Sequence, residues 1–171
     1  MDPFATLGIA RAFDVDLAAV EKVHRELSRA LHPDRYVGAS PSERRASLAK
    51  AVEVNEAWRV VRDPIRRAVA LLALSGVEVG EGRDAAKAAP AFLMDMLEQR
   101  EALSEARQNK DLEAVRRLAA AIEERVRDVE RELAAGFARG EAKGLVGKVG
   151  ELKFYRRFLD EVSAIEDEWA A

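Results

Sequence analysis

The chain has 171 residues, of which 49% are hydrophobic, so it has enough apolar material for one large or two small packed domains. It contains no cysteine and only two histidines, which excludes disulfides and thiolate chemistry and disfavours a metal centre. No cofactor is implied. The formal net charge of -3 argues against nucleic acid as a partner, because binding phosphates requires a basic excess.

No stretch approaches the roughly 18 consecutive apolar residues of a membrane span, and the first residues lack a signal-peptide pattern. We therefore expect a cytoplasmic protein with no membrane partner. The charge is uneven: residues 1–75 hold 12 Lys and Arg against 10 Asp and Glu, and residues 76–171 hold 16 against 21. Two halves with different partners would fit this distribution.

Apolar residues recur at three- and four-residue spacing and strand-like alternation is absent, so the pattern predicts an all-α fold. A short first helix is predicted through Phe4, Leu7 and Ile9. Asp16 is a candidate N-cap for a second helix that ends near Leu31. The predicted core stripe of this second helix consists of Leu17, Val20, Val23, Leu27 and Leu31.

Pro33 ends the second helix, because proline lacks the amide donor and disfavours helical angles at the preceding residue. A loop over residues 32–39 follows. Ser40, Pro41 and Glu43 form a helix-start signal with a capping box, and the third helix is predicted to end near Val61. Its apolar residues, expected to face the second helix in an antiparallel pair, are Leu48, Val52, Trp58 and Val61.

A fourth short helix is predicted from Asp63-Pro64 to about Gly76. Residues 76–90 are rich in Gly and small residues and are predicted to connect an N-terminal domain, 1–75, to a C-terminal domain, 91–171. The second domain is predicted to be a three-helix bundle, with helices over 91–109 and 111–133 and a third ending near the C-terminus. Before the third helix, either a loop or close helix contact is expected at Gly136, Gly140, Gly144, Gly147 and Gly150.

The tripeptide His32-Pro33-Asp34 lies between the two antiparallel helices. It follows Leu27-Ser28-Arg29-Ala30-Leu31, is followed by Arg35-Tyr36, and precedes Asn55-Glu56-Ala57-Trp58. In this order the segment resembles the J-domain family, although His24 stands where a tyrosine is common. The alternative is an ordinary interhelical turn with an exposed histidine.

The J-domain resemblance implies that His32, Pro33 and Asp34 dock on the ATPase domain of a DnaK-type chaperone and accelerate its ATP hydrolysis. Proline fixes the backbone of the loop and so limits the entropy lost on docking. The resemblance also implies that a basic face meets acidic residues of the chaperone. The alternative is that this face is simply exposed to solvent and binds no partner. The residues of this face are Lys22, Arg25 and Arg29, which share one side of the second helix at three- and four-residue spacing, with Arg35 just beyond it.

An enzyme is the other class to consider, because His32 and Asp34 are residues that can transfer protons. The sequence offers no cysteine, no recognisable serine-nucleophile motif and no paired-carboxylate motif to accompany them. We therefore expect no intrinsic catalysis.

The segment 92–101 has more apolar surface than one core stripe uses. At about 100° per residue, Phe92, Met96 and Leu103 share a stripe that we assign to the core. Leu93, Met94 and Leu97 lie elsewhere, among Glu98 and Glu101. They form either an exposed interaction patch or a second face covered by a neighbouring helix.

Residues 92–101, their distance from the J-domain, and Leu152-Lys153-Phe154 resemble HscB, the J-domain co-chaperone family of iron-sulfur cluster assembly. The resemblance covers essentially the full chain. It implies a bundle that binds an IscU-type scaffold and delivers it to an HscA-type chaperone; a J-domain co-chaperone with a different client is the alternative. Phe158 competes with Phe154 for its position in the site. The implied scaffold-binding residues are Leu93, Met94, Leu97, Glu98, Glu101 and Phe154.

Overall fold

The structure, a computed structural model, describes residues 1–79 and 89–170. Every regular element in these ranges is helical, which confirms the predicted all-α class. The α-helices are α1 (Pro3–Leu7), α2 (Leu17–Ala30), α3 (Pro41–Arg62), α4 (Pro64–Leu74), α5 (Pro90–Gln108), α6 (Leu112–Ala138) and α7 (Val146–Ala170). Short 3₁₀ turns cover Pro33–Tyr36 and Ala142–Leu145.

The chain divides into two compact units, Met1–Val77 and Glu78–Ala171. We call them unit 1 and unit 2 and describe each by itself. Much of the predicted connector, residues 80–88, lies outside the described residues.

Side-chain caps define the helix starts of unit 1. Asp16 accepts hydrogen bonds from the amides of Ala18 and Ala19, and Ser40 and Glu43 form a reciprocal capping box, so both predicted N-caps are confirmed. The two hydrogen bonds from Ser40 hold the pKa of the Glu43 carboxyl below its usual value. The first helix is shorter than predicted: it ends at Leu7, and Ile9 lies beyond it.

Helices α2 and α3 form an antiparallel hairpin, against which α1 and α4 pack. The core stripe predicted for α3 is wrong at Leu48 and Val52, which are 60% and 61% exposed. The stripe predicted for α2 is wrong at Leu17, which is 42% exposed. The residues of α3 that are buried are Ser47, Val54, Ala57 and Val61. A serine takes one place in that stripe, and a search for apolar residues alone therefore selects a neighbouring face.

Unit 2 is a three-helix bundle in which α5 and α7 run parallel and α6 runs antiparallel to both. The direction of α5 and α7 follows from two ion pairs in constant register, Arg100 with Glu161 at 3.9 Å and Arg107 with Glu168 at 2.6 Å. The core of the bundle is apolar along its length. Its fully buried side chains include Leu103, Val115, Ile122, Leu133, Val149 and Phe158.

The glycine-rich segment contains both features that the sequence left open. Gly140 occupies the turn after α6 with a φ of 75°, a conformation that favours glycine. Gly136 is buried within α6, where a Cβ added to its backbone would lie 2.6 Å from Leu145 Cδ2. Helix α6 extends to Ala138, beyond the predicted end near Leu133, and α7 begins at Val146.

Candidate functional site

The loop between α2 and α3 presents the His-Pro-Asp tripeptide at the end of the hairpin. His32, Pro33 and Asp34 are all exposed. The Asp34 amide donates a hydrogen bond to His32 Nδ1 over 3.3 Å, and the same ring nitrogen lies 3.5 Å from Asp34 Oδ2. Pro33 begins the 3₁₀ turn. The tripeptide is therefore a locally ordered, solvent-facing loop.

Two contacts, which were not predicted from the sequence, join the helices α2 and α3 that carry this loop. The buried Ser47 hydroxyl donates to the carbonyl oxygen of Leu31, over 3.1 Å, at the residue just before the tripeptide. Farther along the hairpin, the His24 ring stacks on Trp58 with 5.4 Å between centroids, and its Nε2 lies 2.9 Å from Asn55 Oδ1. A serine in register with Val54, Ala57 and Val61 was the available sequence signal for the first contact.

The predicted basic face is exposed. Lys22, Arg25, Arg29 and Arg35 all face solvent. Arg25 lies 3.7 Å from Glu21 on the same helix, which leaves part of its charge compensated. Lys22, Arg29 and Arg35 form no ion pair with any residue in 1–79 or 89–170, so their charge is available to a partner.

An apolar hollow of about 230 Å³ adjoins the tripeptide loop. Leu31, Pro33, Tyr36 and Leu48 contribute to its lining. The exposed Leu48, which helical spacing had assigned to the core, therefore borders this hollow.

Helix α5 carries the second predicted site. Leu93, Met94 and Leu97 are 38%, 59% and 52% exposed, so no neighbouring helix of unit 2 covers them. Glu98 and Glu101 are also exposed. The structure thus has an apolar surface with an acidic edge on the outer side of α5, which we call the α5 patch.

The last helix distinguishes between the two phenylalanines that the sequence offered for this site. Phe158 is fully buried in the core of unit 2. Phe154 is half-buried, and its ring meets that of Phe92 edge-on, with 5.6 Å between centroids. Phe92 is likewise half-buried and also meets the ring of Tyr155. Phe154 thus lies at the boundary between α7 and the α5 patch.

A half-buried ion pair fixes the rotation of α5 about its axis. Asp95 accepts two hydrogen bonds from the guanidinium of Arg125 on α6, and these bonds raise the pKa of Arg125 above its usual value. Asp95 therefore faces α6, and its neighbours Leu93, Met94 and Leu97 turn outward. This pair was not predicted from the sequence, because spacing within one helix carries no information about its partner helix.

Neither a metal centre nor a membrane span is found in the part of the chain that the structure describes. Residues 1–79 and 89–170 contain no cluster of three or more His, Asp or Glu side chains suited to a metal ion. No helix in the same ranges combines the length and apolar character that crossing a bilayer requires.

Solved structures define the class of the protein. The chain superposes on chaperone HscB from Vibrio cholerae with a TM-score of 0.87 and 28% identity, covering 98% of this chain and 99% of that one. The human co-chaperone protein HscB matches with a TM-score of 0.89 at 21% identity, over 97% and 82% of the two chains, and shows the fold. The architecture is a J-domain followed by a C-terminal helical bundle.

Curated relatives and a family model identify the family within that class. The co-chaperone protein HscB homolog of Cupriavidus taiwanensis is 34% identical over 166 residues, 97% of this chain and 94% of that protein. The homolog from Neisseria meningitidis serogroup B is 33% identical, over 94% and 96% of the chains. Residues 88–163 match the HSCB C-terminal oligomerisation domain. The chain belongs to the HscB co-chaperone family.

Proposed function

We propose that this chain binds an IscU-type iron-sulfur scaffold through unit 2 and delivers it to an HscA/DnaK-type chaperone, whose ATPase unit 1 stimulates. It catalyses no reaction itself. The observation that carries the proposal is the presence of two exposed, chemically different surfaces, one on each compact unit: the His-Pro-Asp loop with its basic face, and the apolar α5 patch with its acidic edge.

The loop and basic face suit a chaperone partner. An ordered, exposed loop loses little conformational entropy on docking, and the unpaired cations beside it favour an acidic partner surface. Stimulation further requires that His32, Pro33 and Asp34 contact the hydrolysis-competent state of the chaperone better than its resting state, since equal affinity shifts no population. Lys22, Arg25, Arg29 and Arg35 are proposed to orient the encounter.

The α5 patch suits a protein client. Leucine and methionine side chains adapt to a partner surface, and covering three exposed apolar residues supplies a hydrophobic driving force. The proposed scaffold-binding residues are Leu93, Met94, Leu97, Glu98, Glu101 and Phe154. Phe154 joins the patch because its ring lies against Phe92 at the start of α5.

The test is a pair of reciprocal variants of the full chain. We expect His32→Gln to abolish stimulation of the chaperone ATPase in a single-turnover assay while scaffold binding, measured by calorimetry, is unchanged. A combined Leu93→Ala, Met94→Ala and Leu97→Ala variant should lose at least about tenfold in scaffold affinity while basal, client-free stimulation is retained. Leu112→Ala, at an exposed leucine elsewhere in unit 2, is the matched control.

Three outcomes would contradict the proposal, each at a different part of it. Retained stimulation in His32→Gln would remove the loop from the chaperone interface. Absence of scaffold binding by the unmodified chain would indicate a different client, and unchanged affinity of the triple variant would place the scaffold site elsewhere.

A further inference from the structure

Charged residues on opposite sides of the α5 patch differ in sign. Glu98 and Glu101 lie on the outer face of α5, and Arg157 lies on the exposed face of α7. Arg157 follows Phe154 by one helical turn, and its guanidinium carbon sits over the Phe154 ring, 5.9 Å from the centroid. Because Phe154 borders the patch, Arg157 stands at its α7 side.

The order of residues across the patch follows from helical geometry. At about 100° per residue, Leu93 lies on the side of α5 nearest α7, Leu97 in the middle, and Glu98 on the side nearest α6. This agrees with the contacts, since Phe92 and Arg100 reach α7 while Asp95 reaches α6. The apolar centre is therefore flanked by a cation on one side and a carboxylate on the other.

These flanking charges are uncompensated. The arginines that α5 places at the same helix boundary, Arg100 and Arg107, are paired with Glu161 and Glu168. By contrast, Arg157, Glu98 and Glu101 form no ion pair with any of the residues that the structure describes. Charges left unpaired around an apolar surface are the groups that a partner can complement.

We infer that Arg157 is a specificity-determining residue of the scaffold site and that the patch binds its client in one orientation. The client segment has an apolar centre, a carboxylate that meets Arg157, and a Lys or Arg that meets Glu98 and Glu101. This inference rests on the proposed function and deepens it. If the polarity of the patch were reversed, like charges of the patch and the client segment would face each other on both flanks, which is unfavourable.

The experiment measures scaffold affinity for the full chain by calorimetry at low ionic strength, where exposed charges are least screened. Arg157→Glu is expected to weaken binding about tenfold and Arg157→Gln by less, because reversal adds repulsion to the loss of attraction. Arg127→Glu is the control. Arg127 is an exposed arginine on α6, about 200° around that helix from the α5-facing Arg125.

A double variant, Arg157→Glu with Glu98→Arg, separates orientation from net charge. It restores the net charge of the patch but reverses its polarity, so we expect weaker binding than for Arg157→Glu alone. Binding restored to within about twofold of the unmodified chain would overturn the inference, because only net charge would then matter. Helicity and melting temperature of each variant verify that the fold is retained.

The two proposals fail in distinguishable ways. If the unmodified chain binds the scaffold but Arg157→Glu binds as tightly as Arg127→Glu, the role of Arg157 is overturned and the proposed function stands. If the unmodified chain does not bind, the proposed function is overturned together with this inference.

Discussion

Two helical glycines of unit 2, Gly136 within α6 and Gly147 in the first turn of α7, have different surroundings. Gly136 faces the buried Leu145 side chain, whereas a Cβ at Gly147 would meet nothing within 4 Å. Alanine is favoured over glycine in a helix by about 0.5–1 kcal/mol, but overpacking a filled site costs about 1–3 kcal/mol. The same substitution should therefore have opposite signs at the two positions.

We expect Gly136→Ala to lower the free energy of unfolding by about 1 kcal/mol and Gly147→Ala to raise it by about 0.5 kcal/mol. Urea denaturation followed by circular dichroism measures both. If Gly136→Ala were stabilising, Leu145 would have room to move, and the close approach of the two residues would not require glycine.

His24 shows how a residue with an unclear role in the sequence acquires one from its neighbours. The sequence alone offered no reason for a histidine at this position. In the structure, the ring stacks on Trp58 and its Nε2 lies within hydrogen-bonding distance of Asn55, so it joins α2 to α3. Histidine suits this position because its ring has both an aromatic face that can stack and a polar nitrogen that can form a hydrogen bond.

Among the helices, α3 provides a direct test of which of its residues form the core of unit 1. Val54 is 1% exposed and Val52 is 61% exposed, although the two valines lie only two residues apart on one helix. Val54→Ala should destabilise unit 1 by about 2 kcal/mol, through lost apolar burial and the cavity left behind. Val52→Ala should change stability by less than about 0.5 kcal/mol.

Thermal or urea denaturation of the full chain in a Trp169→Phe background, which leaves Trp58 as the one tryptophan, measures this difference by fluorescence. Equal losses at both valines would indicate that Val52 is covered in solution. The structural reason for the expected difference is the rotation of α3 that places Ser47, Val54, Ala57 and Val61 inward.

For the molecule as a whole, the distribution of charge predicts how the chain would meet the proposed chaperone partner. Lys22 and Arg29 are exposed and unpaired among the described residues, beside the tripeptide loop. Complementary charges mainly increase association rates, and salt screens them. The association rate with the chaperone should therefore fall as ionic strength rises.

A Lys22→Gln, Arg29→Gln variant should associate about tenfold more slowly at low salt and show a flatter salt dependence. Arg62→Gln with Arg66→Gln changes the net charge equally at exposed positions on α3 and α4, and should behave like the unmodified chain. Stopped-flow measurements over a salt series check this. Equal slowing by both variants would mean that overall charge, not the basic face, governs the encounter.

The helical class and most helix starts could be predicted from the amino-acid order, because caps, proline positions and apolar spacing act within a few residues. Asp16, Ser40 and Glu43 cap their helices as predicted, since each hydrogen bond joins near neighbours. The tripeptide loop and the excess apolar surface of α5 were located in the same way. Those features depend on residue order alone.

Which helix faces are covered could not be predicted in this way, because burial depends on a partner helix distant in sequence. Packing leaves Leu48 exposed, buries Phe158 and keeps Phe154 at the edge of the α5 patch. It also pairs Asp95 with Arg125, which sets the outward face of α5. Helical periodicity groups residues into stripes, but the packing of three helices determines which stripe meets solvent and can bind a partner.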